Sequence, residues 1–244
     1  MNVEFYLTGS ASNEIQWDSL GGLRSSVKFI TDSQDNLFEP VDYASSLAGD
    51  YRYECLCARN EGTNEIVDFR VYTYNEDSTT VTSDYSASGD ITVGVTSDDI
   101  FDDLGGYVSN EMTSEVMYYS SASNDMLTVH SIHRGLRGTS ASAGSIDDTL
   151  VPFPWIDLGL ETDVSNEIQL TASCSNEPSG ITWTTSFGTS DADGYANGAK
   201  VGGLTDDDID VSGEAFVWCR LAIPVSGEYN PTYELGNVRY GGYI

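Results

Sequence analysis

Carboxylates are the residues in this chain most able to do chemistry, and several stand side by side: Asp98–Asp99, Asp102–Asp103, Asp147–Asp148 and Asp206–Asp207–Asp208. Glycoside hydrolysis uses two carboxyl groups about 5–10 Å apart in a sugar-binding cleft, with pKa values pushed in opposite directions. With 39 Asp and Glu in 244 residues, neighbours arise by chance, so solvated faces are the expected role. Asp191, Asp193 and Gly194 open like a calcium loop, but the twelfth position, where an EF-hand needs a bidentate Glu, is Gly202. A structural Ca or Mg ion held by Asp191, Asp193 or Asp206–Asp208 is the weaker expectation beside a plain Asp/Gly turn.

The other reactive side chains are few. His130 and His133 are the two histidines. On a strand, a three-residue offset sends them to opposite faces, which suits neither a shared metal nor a shared substrate. Surface or turn positions are therefore expected for both. No Gly-x-Ser-x-Gly elbow is present. Cys55 and Cys57 share one face of a strand. A disulfide from either of them to Cys219 competes with buried free thiols, which is the expected state of all four cysteines, Cys174 included. A zinc site would need a second closely spaced pair, and there is none. No catalytic, cofactor-binding or metal-ligating residue is thus assigned.

Cations are scarce enough to be informative. Arg134 and Arg137 either pair with carboxylates of a neighbouring subunit through a bidentate fork, or neutralise local Asp residues within the same module or bind carbonyls of the RGLRG turn; the second is favoured. Trp155, Trp183 and Trp218 are expected as core anchors, and Trp17 as an anchor or as an arm residue buried against a partner.

The elements that must position these residues read as strands. Strand-like runs recur at 3–8, 51–59, 66–74, 91–95, 115–120, 126–132, 156–160, 167–172, 181–186 and 215–224. Val67, Phe69 and Val71 alternate with Asp68 and Arg70, the mark of a half-buried strand. Helical periodicity is confined to 37–48, where Pro40 limits it to a turn or two. The pattern predicts an all-β fold, an antiparallel β-sandwich of jelly-roll type interrupted by a small inserted β module. Polar, Gly/Ser-rich stretches at 79–90 and 138–148 delimit that insert. The expected division is 1–80 and 153–244 for the two parts of the outer sandwich and 81–152 for the module.

Net charge is −29, with two Lys and eight Arg. Such self-repulsion opposes compaction unless salt screens it, and at about 1 M salt the Debye length is only about 3 Å. A halophilic setting follows. Nucleic acid and anionic membranes are disfavoured partners, since no basic patch exists. The start shows no secretory signal, and no run approaches the roughly 20 apolar residues of a transmembrane helix. Aromatic and β-branched content is too high for a disordered acidic chain.

FYLTGSASNEIQWDSLGG (5–22), NLFEPVDYASSLAGDYRYECLCARNE (36–61), EPSGITW (177–183) and GGLTDDDIDVSGEAFVWCRLAIP (202–224) resemble, in that order, a virion structural protein of tailed double-stranded DNA viruses. The segment 114–144 resembles a small β module of viral tail and baseplate proteins. Its hallmark, RG-x-x-GT-x-A, is met by Arg134, Gly135, Gly138, Thr139 and Ala141, with Ser131 and Ile132 as two extra residues before the turn. The resemblance implies a non-enzymatic component of a virus particle from a halophilic archaeal host: a capsid decoration, turret, tail or baseplate protein acting in assembly and stability. It would be assembled in the host cytoplasm and located in the virion. Its partners would be copies of itself, major capsid or tail proteins, and host surface glycans. The alternative is a carbohydrate-binding or adhesive sandwich of a halophile surface or virus. A hydrolase with an appended module finds no catalytic constellation.

Overall fold

The computed structural model describes residues 1–9, 19–29, 37–38, 47–75, 77–161, 171, 173–184, 187–188, 190–200, 208–225 and 237–244. The strands in chain order are β1 (Val3–Thr8), β2 (Arg24–Lys28), β3 (Asp50–Asn60), β4 (Val67–Tyr74), β5 (Thr79–Thr80), β6 (Ile91–Gly94), β7 (Gly106–Asn110), β8 (Glu115–Tyr119) and β9 (Ser121–Ala122). They continue with β10 (Met126–Val129), β11 (Thr149–Phe153), β12 (Ile156–Glu161), β13 (Ile181–Thr184) and β14 (Phe187–Gly188). A helix, α1 (Asp191–Asn197), then precedes β15 (Ala199–Lys200), β16 (Glu214–Ile223) and β17 (Asn237–Tyr243). The fold is all-β and sandwich-like, as expected. No helix among the described residues is long and apolar enough to cross a membrane.

A six-stranded antiparallel sheet, β13-β12-β16-β3-β1-β2, forms one layer. A second sheet is built on β4, with β17 on one side and β14 and β15 following each other on the other. Strand periodicity decides what lies between them. Leu7 on β1, Leu56 and Ala58 on β3, and Val217 and Leu221 on β16 join Phe69 and Val71 on β4 in one buried cluster. The opposite face of the six-stranded sheet buries Tyr53, Cys55 and Trp218. Central β3 is covered on both faces, so its burial is nearly continuous rather than alternating.

The strands from Thr79 to Phe153 form two further sheets, β6-β10-β9 and β5-β11-β7-β8. They enclose a core of their own, including Val93, Phe101, Val108, Met117, Leu127 and Leu150. On β7 and β8 alternate residues point two ways. Val108, Met117 and Tyr119 enter this core, whereas Tyr107, Val116 and Tyr118 enter the main cluster beside Phe153 and Trp155. That double duty makes both strands fully buried.

Strands β2, β7, β11 and β17 and the two-residue β5, β9, β14 and β15 were not expected. GYVSN, NVRYGGY and TLVPF carry Gly, Asn or Pro, which weaken a strand signal that tertiary pairing then overrides. The expected strand at 167–172 and helical stretch at 37–48 fall almost wholly outside the described residues, although Leu37 and Phe38 are buried in the main cluster. Trp17 also lies outside them.

All four cysteines are free and buried. Register explains why no Cys55–Cys219 or Cys57–Cys219 bridge forms: Cys219 pairs with Glu54, so it faces the other side of the sheet from Cys55 and Cys57. Burial raises the Cys57 and Cys219 thiols to about 12. At pH 8 only about one such thiol in ten thousand is thiolate, the reactive form. Cys55, Cys57 and Cys219 are therefore expected to resist iodoacetamide in the native protein and to react after denaturation. Rapid native alkylation, read by mass spectrometry, would contradict this packing.

Candidate functional site

The RG-x-x-GT-x-A turn is where the scarce cations, both histidines and the seam between the two cores come together. β8 leads into it from one side, through a backbone bridge from Leu136 N–H to Val116 O (2.8 Å). Thr139 holds the loop closed: its hydroxyl donates to Leu136 O (2.7 Å) and accepts from Val116 N–H (3.0 Å). Gly135 has φ +60°, and a Cβ there would lie 2.6 Å from Ala141 N, so only glycine fits. Arg137 itself takes φ +55°, a cost of order 1–3 kcal/mol that the surrounding contacts must offset.

Arg134 turns inward. Its Nε and Nη2 donate to the two carboxylate oxygens of Glu115 at 2.7 and 2.8 Å, and the side chains are 2% and 0% exposed. The guanidinium also donates to Ser86 O (2.9 Å) and Ser142 O (2.6 Å). Glu115 accepts two more bonds, from Gly135 N–H (3.1 Å) and Ser142 N–H (3.0 Å). Every part of this buried pair thus meets an opposite partner, the condition for tolerating charge in a core.

Arg137 points the other way, across the seam. It pairs with Asp157 on β12, which is fully buried, and its guanidinium lies over Tyr107 (5.3 Å) and Phe153 (5.4 Å). The second oxygen of Asp157 accepts from Arg220 Nε (2.9 Å) and Nη2 (2.6 Å), its cross-strand neighbour on β16. Arg220 in turn is sandwiched between Tyr51 (4.8 Å) and Trp183 (4.7 Å). Each ring therefore gives a face to the guanidinium, a cation–π contact rather than an open stacking platform.

Both arginines are ion-paired within the chain: Arg134 meets a Glu rather than an Asp inside the expected module span 81–152, whereas Arg137 finds its carboxylate on β12, beyond that span. Neither Glu115 nor Asp157 stood out in the sequence, because single carboxylates carry no signal in so acidic a chain. The available clue was position: Glu115 opens the apolar strand run EVMYY, and Asp157 interrupts WIDLGL. The same thrift runs through the molecule. Every Lys and Arg whose side chain is described is ion-paired, including Arg24–Glu214 (2.5 Å), Lys28–Glu4 (2.6 Å), Arg59–Glu61 (2.9 Å) and Lys200–Asp68 (3.0 Å).

The histidines take the expected surface and turn positions, His130 exposed and His133 within a turn, but not the expected opposite faces. The strand ends at Val129, and Ser131–His133 form a 3₁₀ turn. Residues three apart eclipse in that geometry, so the His130 and His133 rings meet with centroids 6.0 Å apart instead of facing opposite ways. His133 is not on the surface but 3% exposed, set edge-on to Tyr118 at 4.9 Å. Its Nε2 donates to Val225 O, just beyond β16, at 2.5 Å. Burial pushes its pKa below the usual histidine value, partly opposed by that bond.

Asp193 lies in the first turn of α1. Ser190 caps the helix by accepting from Asp193 N–H (3.1 Å) and donates to the Asp193 carboxylate (2.8 Å). Arg70 takes the Tyr195 and Ala196 carbonyls at the other end (2.8 and 2.6 Å). Asp208 accepts from Asp68 N–H (2.8 Å), while Asp206 and Asp207 lie outside the described residues. The paired Asp residues in the module act as turn acceptors: Asp102 receives Leu104 N–H, and Asp148 receives Ser145 N–H and Asn110 Nδ2. Among the described residues no three His, Cys, Asp or Glu side chains are grouped to hold a metal ion. The chain matches no protein-family model, no curated protein and no solved structure.

Proposed function

We propose that this chain is a non-enzymatic structural component of a tailed double-stranded DNA virus particle adapted to high salt, a capsid decoration, turret, tail or baseplate protein. The observation that carries the proposal is the ordered set of sequence patches, with the RG-x-x-GT-x-A turn inside them. The geometry gives that turn a mechanical role: it ties a small β module to a larger sandwich through charge pairs shielded from solvent. Buried pairs are screened far less by salt than exposed ones, so such a tie holds in brine. With the described cations spent internally, the outer surface is left acidic, which favours solubility and contacts that form only when salt suppresses repulsion. Copies of itself and capsid or tail proteins are the partners this implies.

Mass spectrometry of gradient-purified particles from a host producing this chain tests the assignment. The chain is expected in fixed stoichiometry to the other capsid or tail proteins. Infectious particles that lack it altogether would overturn the assignment.

A further inference from the structure

We propose that His130 and His133 form a two-histidine site for a borderline divalent transition metal of the Zn²⁺ or Ni²⁺ type, with water completing the coordination. The first support is tautomeric. A carbonyl only accepts, so the His133 Nε2 bonded to Val225 O carries the proton and the lone pair sits on Nδ1. That Nδ1 is buried and has no hydrogen-bond partner. An imidazole whose N–H is tied to a backbone carbonyl while its other nitrogen stands free is the arrangement metal-ligating histidines adopt.

The second support is distance. Metal–nitrogen bonds of about 2.0–2.1 Å put each ring centroid about 3.2 Å from the ion, so one ion can bridge centroids at most about 6.4 Å apart. The rings here are 6.0 Å apart, within that limit. His130 is 49% exposed on its turn, which leaves it the ring free to adjust. Its Nδ1 lies 3.7 Å from Asp90 Oδ2, and Asp90 is itself anchored by Ser131 N–H at 2.7 Å. Asp90 thus stands where an outer-shell carboxylate would fix His130 with Nε2 as the ligand.

Imidazole nitrogen selects Zn²⁺, Ni²⁺ or Cu²⁺ over Mg²⁺ and Ca²⁺, which prefer the oxygen ligands abundant elsewhere on this chain. Since His133 reaches across the seam to Val225, an ion here would tighten the module against the end of β16. This inference is independent of the proposed virion role.

The test is calorimetric titration of the whole chain with NiCl₂, in molar NaCl with excess MgCl₂ to occupy carboxylate sites. One equivalent per chain is expected, with affinity lowered more than about tenfold in H130A, whose exposed side chain leaves folding intact, and about tenfold in D90N. Nitrogen chemical shifts of the His133 ring should report metal on Nδ1 and a retained proton on Nε2. Absence of saturable binding, unchanged affinity in H130A, or metal on Nε2 of His133 would each overturn the site.

Discussion

Glu115→Ala is expected to destabilise the protein by about 3–5 kcal/mol, because it strands the Arg134 charge in a core that excludes water. Domain stabilities are about 5–15 kcal/mol, so the loss is a large fraction of the whole. In a chain of this length it corresponds to a fall in Tm of roughly 6–20 °C. Removing both charges does not restore stability. Arg134 also satisfies Ser86 O and Ser142 O, and Glu115 satisfies Gly135 N–H and Ser142 N–H. A Glu115→Leu/Arg134→Met protein therefore leaves four backbone groups to find new partners, each unmet one costing about 1–3 kcal/mol. Urea unfolding at constant high salt measures both variants. A double variant as stable as the parent would show that the pair is dispensable. An exposed pair supplies the contrast: Lys28→Ala, which removes the surface contact to Glu4 and an edge-of-range cation–π contact to Tyr6, should leave stability nearly unchanged.

Asp157→Asn is expected to be as damaging, for a different reason. The substitution keeps the shape but leaves Arg137 and Arg220 facing one neutral amide, whose NH₂ group confronts a guanidinium N–H. A loss of about 3–5 kcal/mol follows from two like charges held together without their counterion. Here a double replacement should recover most of the loss. Among the described residues Asp157 accepts from the two arginines alone, and Arg220 is partly solvated, stacked between Tyr51 and Trp183 and 3.9 Å from Glu177. Asp157→Leu/Arg137→Met converts the crossing to apolar contact against Tyr107 and Phe153, a change that is often neutral for well-packed pairs. Hydrogen exchange adds the location. In Asp157→Asn, β7 and β8 amides should exchange faster than those of β3 and β16, because the seam opens before the sandwich does. Uniform acceleration across all four strands would contradict a local seam.

These two carboxylates also mark where sequence reasoning stops. Long apolar runs with strand periodicity, such as the one that becomes β16, declare themselves, since the strand and its inward face follow from side-chain alternation. Strands β7, β11 and β17 do not, because their Gly, Asn and Pro residues are acceptable only once neighbours supply the pairing. Helix α1 was hidden likewise: its far end depends on Arg70, more than a hundred residues away in sequence. The arginines were legible as rare and as members of a turn motif. Their partners were not, because 39 carboxylates offered no means of choosing among them.

The histidines make the same point from the opposite side. Strand geometry separates residues three apart, and that rule excluded a shared site. Here the strand ends at Val129 and Ser131–His133 wind a 3₁₀ turn, so the same spacing brings the rings together.

What the sequence determined by itself was the class of fold, the acid-rich surface and the residues whose rarity made them worth following. Those properties reside in composition and short-range periodicity, which are local. Only the tertiary structure decided that Arg134 closes the module, that Arg137 ties it to the sandwich through Asp157, that Cys219 faces away from Cys55 and Cys57, and that two histidines share one turn. Pairing across a sheet or a seam is set by register and burial, and these depend on where distant segments of the chain come to lie.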